Sequence, residues 1–585
     1  MTKIVTRTYD AQCYKRLNDC GLSPVLSRIY AARGIDSISQ LETELSQLIP
    51  FKQLKSITTT AALLADAIRE KKRLLVVADY DSDGATACAV AIRILRKFGA
   101  TVDYLVPNRF EFGYGLTPEI VRLAHSFKKP HILITVDNGI ASVEGVNEAN
   151  ALGMQVFITD HHLPGDTLPN AAAILNPNQP GCAFPSKSIA GVGVVFYLML
   201  ALRAELRSRG AFSNALPEPN LANFLDLVAL GTVADVVKLD SNNRILVQQG
   251  LQRIRKGQCC IGIHALLRTA KRDYRQISTY ELGFILGPRL NAAGRLDDMS
   301  LGIECLITDN EAYAAQIAQQ LDSLNRERRE IESSMQESAV LKLDHLLTQR
   351  PAEAHNNYTI SLFDQDWHQG VIGILASRIK DKHHCPVIIF APGNGDELKG
   401  SGRSIQSFHL RDALDLVTKK YPGLIIKFGG HAAAAGLTIK RQAFDQFCQV
   451  FEHIAQTLMT PNDLTRLIET DGDLTLSEIN LELAEGFNQQ VWGQGFPQPT
   501  FMTRFMVESQ RIVGEKHTKL RLKKSTDTTL KDNTQIANDV YDAMLFFHHD
   551  PLPELIDAVY RLQVNEFNGK RTVQLLLEHW IAVNE

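Results

Sequence analysis

At 585 residues the chain is too long for one hydrophobic core and is expected to divide into three or more domains. Its 45% hydrophobic and 22% charged composition is that of an ordinary soluble globular protein. A formal net charge of −3 excludes a surface coated throughout with basic residues, while leaving room for a local basic stripe beside an acidic site. The nine cysteines are scattered with no C-x-x-C pair, and Cys259-Cys260 reads as core filling, so a reducing cytoplasm is the expected compartment. The first ten residues lack the apolar core of a signal peptide, and Val192 to Leu202 is too short to span a bilayer, so no membrane association is expected.

Residues 1–55 read as a helical segment without recognisable chemistry. Strand–helix alternation then begins. Arg73 to Ala78 is an apolar run of strand length, and Ala85 to Lys97 carries Ala89, Ile92 and Leu95 at helical spacing. Val102 to Val106, His131 to Val136, Gln155 to Thr159 and Ala171 to Leu175 are the next strands, which predicts an α/β domain over 56–305 with a parallel sheet covered by helices. Ile317, Leu321, Leu324, Ile331, Met335 and Ala339 recur at helical spacings, predicting a long connecting helix within 306–350. A smaller α/β domain is expected over 351–460, with strands Tyr358 to Phe363 and Val387 to Phe390 and glycine-rich turns at 400–404 and 429–432. Beyond Thr460-Pro461-Asn462-Asp463, short alternating runs predict a β-rich domain over 461–585.

The chemistry lies in four acidic stretches that follow hydrophobic, strand-like runs: Asp79-Tyr80-Asp81-Ser82-Asp83-Gly84, Val136-Asp137-Asn138-Gly139, Asp160-His161-His162 and Gly231-Thr232-Val233-Ala234-Asp235. Hard carboxylate oxygens with an imidazole suit Mg²⁺ or Mn²⁺ better than zinc. Asp79, Asp81 and Asp83 repel one another, and gathering them in a cleft is costly without cations. A solvated acidic turn is the plain alternative, disfavoured by the strand before and the helix after. In open α/β sheets ligands bind beyond the carboxyl ends of the strands, so Asp79, Asp137 and Asp160 are expected to converge, with Asp235 approaching from the side. Asp137 is the natural bridge between two cations about 3.5–4 Å apart, and it can also cap the helix near Ala141. Of His161 and His162, one can ligate while the other faces substrate; a pair of loop histidines is the alternative that the Pro164-Gly165 turn permits. His383-His384 and His548-His549-Asp550 lack acidic partners at strand ends and read as surface histidines. Glycines 400, 402, 429 and 430 let a backbone approach a phosphate that Arg403 could clamp, although Gly429-Gly430 alone would read as a tight turn. Lys519, Arg521 and Lys523 alternate with Leu520 and Leu522, as in a strand lining a nucleic-acid groove, where a solvated charged face is the commoner explanation.

Together the four acidic stretches resemble the DHH phosphoesterases, and Gly429 to Gly436 resembles their associated DHHA1 domain. Within that superfamily the pattern is most similar to the RecJ-type exonucleases, through Val106 to Arg109 leading to Gly113-Tyr114-Gly115, Pro288 to Arg295, and Trp367 to Gly373. The resemblance runs from about residue 50 to the C-terminus. It implies two Mg²⁺ or Mn²⁺ ions, one held by Asp81 and Asp137 with Asp79 close by, the other by Asp83, Asp137, His161 and Asp235. Asp79, His162 and His431 would serve the catalytic cleft, with His162 at the scissile phosphate. Ser401 and Arg403 would grip a 5′ phosphate, aided by Arg109 and Arg295, with Tyr114, Arg289 and Asn291 also contacting substrate. The C-terminal region would be an OB-like domain that binds single strands. The implied activity is 5′→3′ hydrolysis of single-stranded DNA to 5′-mononucleotides in repair and recombination, by a monomer working with a single-strand-binding protein and a helicase. Two alternatives are a DHH phosphoesterase acting on small substrates, which would need neither a third domain nor a bridging helix, and a non-catalytic replication scaffold, which would be expected to have lost ligands.

Overall fold

The computed structural model describes residues 2–108, 115–348, 357–514, 517–524 and 540–583. The chain forms two compact units. The larger is built from Val5–Gly294, Asp298–Leu321 and Glu469–Glu585, the smaller from Met1–Ile4, Arg295–Asp297 and Asp322–Ile468. Residues 1–55 are not wholly helical: a strand, β1 (Thr2–Thr6), precedes the helices Ala11–Asp19 and Pro24–Ala31.

In the larger unit, β2 (Arg73–Ala78), β3 (Thr101–Leu105), β4 (Ile132–Val136), β5 (Gln155–Thr159) and β6 (Ala173–Leu175) form one sheet. Every pair in it is parallel. Leu74 to Ala78 and Ile132 to Val136 are buried on both faces, which is why these strands read as continuous apolar runs rather than alternating ones. The strand order β3-β2-β4-β5-β6 reverses its direction of winding between β2 and β4. A crevice must open there, beyond the carboxyl ends of those two strands.

Three helices wall the crevice: Ser82–Lys97, Gly191–Ser208 and Leu225–Ala234. The first packs against both others, and its Ala85, Ala87, Ala89 and Ala91 are small enough for close approach. The stretch Phe224 to Leu230 is not a strand. Leu225–Ala234 is an α-helix, apolar all round because it is buried all round, and a short run of that kind carries no period that separates strand from helix.

The smaller unit holds a second sheet, of β7 (Ile360–Phe363), β8 (Val387–Pro392), β9 (Glu397–Arg403), β10 (Lys427–Gly430) and β11 (Ala434–Lys440), in the order β10-β11-β9-β8-β7. Alternation along β8 sends Val387, Ile389 and Ala391 into one core and Ile388 and Phe390 into another. The long helix Glu311–Thr348 contributes Met335 and Ala339 to the first of these cores.

After β12 (Arg466–Thr470), which pairs with β1, the chain returns to the larger unit. There β13 (Phe501–Val513), β14 (His517–Lys524), β15 (Val540–Phe546), β16 (Leu555–Phe567) and β17 (Lys570–Ala582) close a five-stranded barrel of OB type. A buried ion pair fastens the N-terminal segment to this region. Arg33 donates to both oxygens of Asp471 at 2.7 and 3.0 Å, Arg7 adds a third bond at 3.2 Å, and the Thr500 backbone N–H a fourth at 3.0 Å. Asp471→Ala strands the Arg33 guanidinium, whose side chain is 2% exposed. That substitution is expected to cost about 3–5 kcal/mol in urea unfolding; a loss below about 1 kcal/mol would show the pair to be dispensable.

Candidate active site

The crevice is lined from the ends of β2 and β4 outward. Asp79 follows β2 and is buried, its Oδ1 accepting from the Tyr80 N–H at 2.8 Å. Asp81 caps the helix Ser82–Lys97, its Oδ1 accepting from the N–H groups of Asp83 and Gly84 at 2.9 and 3.0 Å. Asp83, in the first turn and fully buried, accepts from two backbone N–H groups at the start of the helix Gly191–Ser208: Gly191 at 2.6 Å and Val192 at 2.9 Å. These donors are unpaired within their own helix, so the carboxylate is held by the positive end of a second helix.

Asp137 follows β4 in the left-handed region (φ 63°), an uncommon conformation for a residue other than glycine. A Cβ on Gly191 would lie 2.5 Å from Asp137 Oδ1, so only glycine fits opposite it. Asp235 caps the C-terminus of Leu225–Ala234 and is followed by Val236 at φ 62°, a strained angle for a β-branched residue. His161 Nε2 lies 3.1 Å from Asp137 Oδ1, 3.4 Å from Asp235 Oδ2 and 3.9 Å from Asp83 Oδ2.

Three overlapping sets of ligand atoms result, each confined within 4.8 Å: Asp79, Asp81 and Asp137 in the first, Asp83, His161 and Asp235 in the second, and Asp137, His161 and His162 in the third. Asp137 belongs to the first and touches the second through His161. No hydrogen bond from the described residues reaches Asp137 Oδ1 or Asp235 Oδ2, both buried. Buried carboxylate oxygens gathered around one imidazole nitrogen suit a site for hard divalent cations.

Burial, and secondly the neighbouring carboxylates, push Asp79, Asp137 and Asp235 well above the usual carboxylate range and Asp83 up to about 7.

Asp160 reaches the crevice, where its charge acts on Asp79 and Asp235, but both of its oxygens are taken by donors. Its Oδ2 accepts from the Ile140 N–H at 2.9 Å, and its Oδ1 takes the N–H groups of His161 and His162 and the Nδ1 of His162, the last at 2.7 Å. Burial pulls the His162 imidazolium down, but the bond and charge of Asp160, with Asp79 and Asp81, outweigh it and lift the pKa to about 9. Asp160 is thus the group that orients and charges His162.

Arg289 and Asn291 have internal partners rather than open faces. Asn291 Oδ1 accepts from Ser82 N–H and Oγ at 2.8 and 2.9 Å, bracing the first turn that carries Asp83, and Arg289 Nη1 donates to Ile285 O at 2.7 Å. Arg109 and Tyr114 lie outside the described residues.

Within the smaller unit, Arg403 Nη1 donates to Ser401 Oγ at 3.2 Å and to Gly402 O at 2.8 Å. A Cβ on Gly373, at the start of the helix Ile372–His383, would meet Arg403 Nη2 at 2.9 Å and Ser401 Oγ at 3.0 Å. Arg295 Nη1 donates to Gly370 O at 3.2 Å, in the loop entering that helix. Ser401, Arg403 and Arg295 therefore border one helix N-terminus, a natural anion site. Gly400 and Gly402 do not serve it by backbone approach. Cβ atoms there would strike Leu437 and Phe390, or Leu410, so these glycines admit core side chains. His431 lies in the exposed turn between β10 and β11.

On the barrel, Leu520 and Leu522 of β14 are buried, and Lys519, Arg521 and Lys523 alternate with them. Lys519 pairs with Asp542 at 3.0 Å and Arg521 with Glu508 at 3.1 Å. The stripe is a charge-matched face, not a bare cationic one.

The raised carboxylates bind protons more tightly folded than unfolded. Their stabilising contribution is full below the unfolded value of 3.8 and is lost as pH rises through the folded value, about 7 for Asp83. Cation-free protein is expected to lose thermal stability between about pH 5 and pH 8, with Mg²⁺ or Mn²⁺ restoring more at the higher pH. A melting temperature that climbs over that range without cations would contradict the assignment.

Known families match along the chain: the DHH family, N-terminal domain over residues 73–232, the DHHA1 domain over 355–457 and the RecJ OB domain over 470–579. The single-stranded-DNA-specific exonuclease RecJ of Dickeya dadantii is 49% identical over 561 residues, covering 95% of this chain and 96% of that protein. Its Escherichia coli counterpart is 47% identical with the same coverage. The crystal structure of RecJ in complex with Mn²⁺ from Thermus thermophilus superposes with a TM-score of 0.80 at 28% identity, covering 100% of this chain and 80% of that one. With all three domains present and nearly half of its residues identical to such relatives over almost its whole length, the chain belongs to the RecJ family.

Proposed function

We propose that this protein is a divalent-metal-dependent exonuclease that degrades single-stranded DNA 5′→3′ to 5′-mononucleotides, in DNA repair and recombination. The observation that carries the reading is the overlapping ligand sets meeting at Asp137, in a chain whose relatives are single-stranded-DNA-specific exonucleases. One ion is assigned to Asp79, Asp81 and Asp137, the other to Asp83, Asp137, His161 and Asp235. Two bound Mg²⁺ or Mn²⁺ ions would lower the pKa of a water and neutralise charge gathering on the scissile phosphate.

The protein's own groups prepare that step. Backbone N–H groups hold Asp81 and Asp83 in place before any ion arrives. Asp160 holds the His162 ring through Nδ1, which orients the imidazole for a contact to a phosphate oxygen. Ser401, Arg403 and Arg295 are assigned to a terminal 5′ phosphate, because a doubly charged end group suits a helix N-terminus flanked by guanidiniums. His431 is assigned to the catalytic cleft on family resemblance. The barrel is assigned to the single strand, with Lys519, Arg521 and Lys523 on its binding face, although Lys519 and Arg521 must exchange carboxylate partners for phosphates. A single-strand-binding protein and a helicase are the proposed partners of a cytoplasmic monomer. None of its described helices is long and apolar enough to cross a membrane.

Asp137→Asn is expected to cut Mn²⁺-dependent hydrolysis of single-stranded DNA by about 10²–10³-fold or more. The cation-free protein should hold or raise its melting temperature, since a repelling charge is gone. Activity within about ten-fold of native would move the site elsewhere. Arg403→Ala is expected to lose most of the preference for a 5′-phosphorylated over a 5′-hydroxyl end, about ten- to a hundred-fold in kcat/KM, while the Mn²⁺ midpoint stays put. An intact preference would remove Arg403 from end recognition.

A further inference from the structure

After β6 the chain runs Asn176-Pro177-Asn178-Gln179, a polar stretch that supplies no metal ligand. Its amides are turned instead on the loop that carries the two histidines. Asn176, fully buried, donates through Nδ2 to His162 O at 2.9 Å, and its Oδ1 accepts from the Asn178 N–H at 2.7 Å. Asn178 Nδ2 donates to His161 O at 2.6 Å and to Lys187 O at 3.1 Å. One nitrogen thus joins the ligand-bearing loop to the segment that enters the helix Gly191–Ser208.

A second asparagine repeats the arrangement from the other side. Asn243, fully buried, donates through Nδ2 to Ser188 O at 2.8 Å and to Lys238 O at 2.9 Å. Lys238 lies three residues beyond Asp235, and Ser188 three residues before Gly191, whose N–H helps to hold Asp83. Ser186 Oγ donates to Asp240 Oδ2 and Lys187 Nζ to Pro177 O, both at 2.6 Å. Residues 186–188 are therefore the common anchor of three segments, which deliver His161, Asp83 and Asp235. Neither pair of amide bonds can be made by an aspartate or by a single hydroxyl. The set Asp79, Asp81 and Asp137 has other supports. Asn138 ties the ends of β2 and β4, and Asp81 is held by its own helix.

We infer that Asn178 and Asn243 are positioning residues that fix Asp83, His161 and Asp235 relative to one another, and so govern one of the two cations selectively. The inference rests on the two-cation reading above and adds to it what sets the grip on the second ion. Groups that brace metal ligands commonly change affinity by about 10–100-fold when removed. Mg²⁺ demands nearly ideal octahedral geometry, so a loosened set is expected to lose Mg²⁺ first. Asn178 is half-buried, and water can reach the two carbonyls that its loss would leave, so its variants are expected to fold.

The test is Mn²⁺ titration of the cation-free, full-length protein without DNA, with free Mn²⁺ counted by electron paramagnetic resonance. Native protein is expected to take up two ions. In Asn178→Ala one of them should weaken by about ten- to a hundred-fold while the other stays put. Asn243→Ala should weaken the same ion. Asn178→Leu keeps the side-chain volume without the donors and should match the alanine variant. Asn150→Ala removes an exposed amide bond of the same kind, Nδ2 to Asn170 O at 2.9 Å, and should leave both ions unchanged. Hydrolysis supported by Mg²⁺ should fall further in Asn178→Ala than hydrolysis supported by Mn²⁺. The positioning role is overturned if both ions weaken alike, if neither changes, or if leucine binds as the native residue does. An equal effect of Asn150→Ala would overturn it too, by showing a general loosening. Native protein that binds fewer than two ions refutes the two-cation reading and the positioning role together. Native protein that binds two ions yet leaves single strands uncut refutes the exonuclease reading alone.

Discussion

Five carboxylates, Asp79, Asp81, Asp83, Asp137 and Asp235, are gathered where their mutual repulsion is greatest, and the surrounding structure is arranged to hold them there. The sheet brings Asp79 and Asp137 together because its winding reverses between β2 and β4. Two helix N-termini meet at Asp83: its own first turn, capped by Asp81, and that of Gly191–Ser208, which donates two N–H groups. Each donor favours charge that burial disfavours. The balance still leaves Asp79, Asp137 and Asp235 well above their ordinary values, which keeps the site dependent on cations.

Holding such a cluster carries backbone strain at one member and beside another. Asp137 sits at φ 63° and Val236, beside Asp235, at φ 62°. Strain of this kind persists only where neighbours over-determine the conformation. Asn138 does so for the first, its Nδ2 donating to Val77 O and Val136 O and binding the ends of β2 and β4 together. Gly191 permits it by carrying no side chain where the Asp137 carboxylate lies.

Around this centre the remaining polar motifs divide between chemistry and support. Asp160 and Asn291 each brace a neighbour, one bonding His162 and one accepting from Ser82. Arg403 and Ser401 face a helix N-terminus, while the glycines beside them face the core. The barrel's cationic stripe is largely answered by its own carboxylates, so its pull on a phosphate chain is weaker than its composition suggests.

The local, periodic features were legible in the sequence. The apolar runs of β2, β4 and β5 and the long helix Glu311–Thr348 announce themselves because burial on a fixed period leaves a pattern. The acidic stretches were equally legible, since hard ligands at strand ends have one common use. Leu225–Ala234 escapes such a reading for the opposite reason: complete burial erases the period. What tertiary structure alone decided was which of the acids held by backbone N–H groups also stand beside His161. Asp83 and Asp160 look alike in sequence, and each has both oxygens engaged by backbone N–H groups. Only Asp83 also stands within reach of His161 Nε2. That difference is set by helices and loops up to 109 residues away, and such distances leave no trace in local spacing.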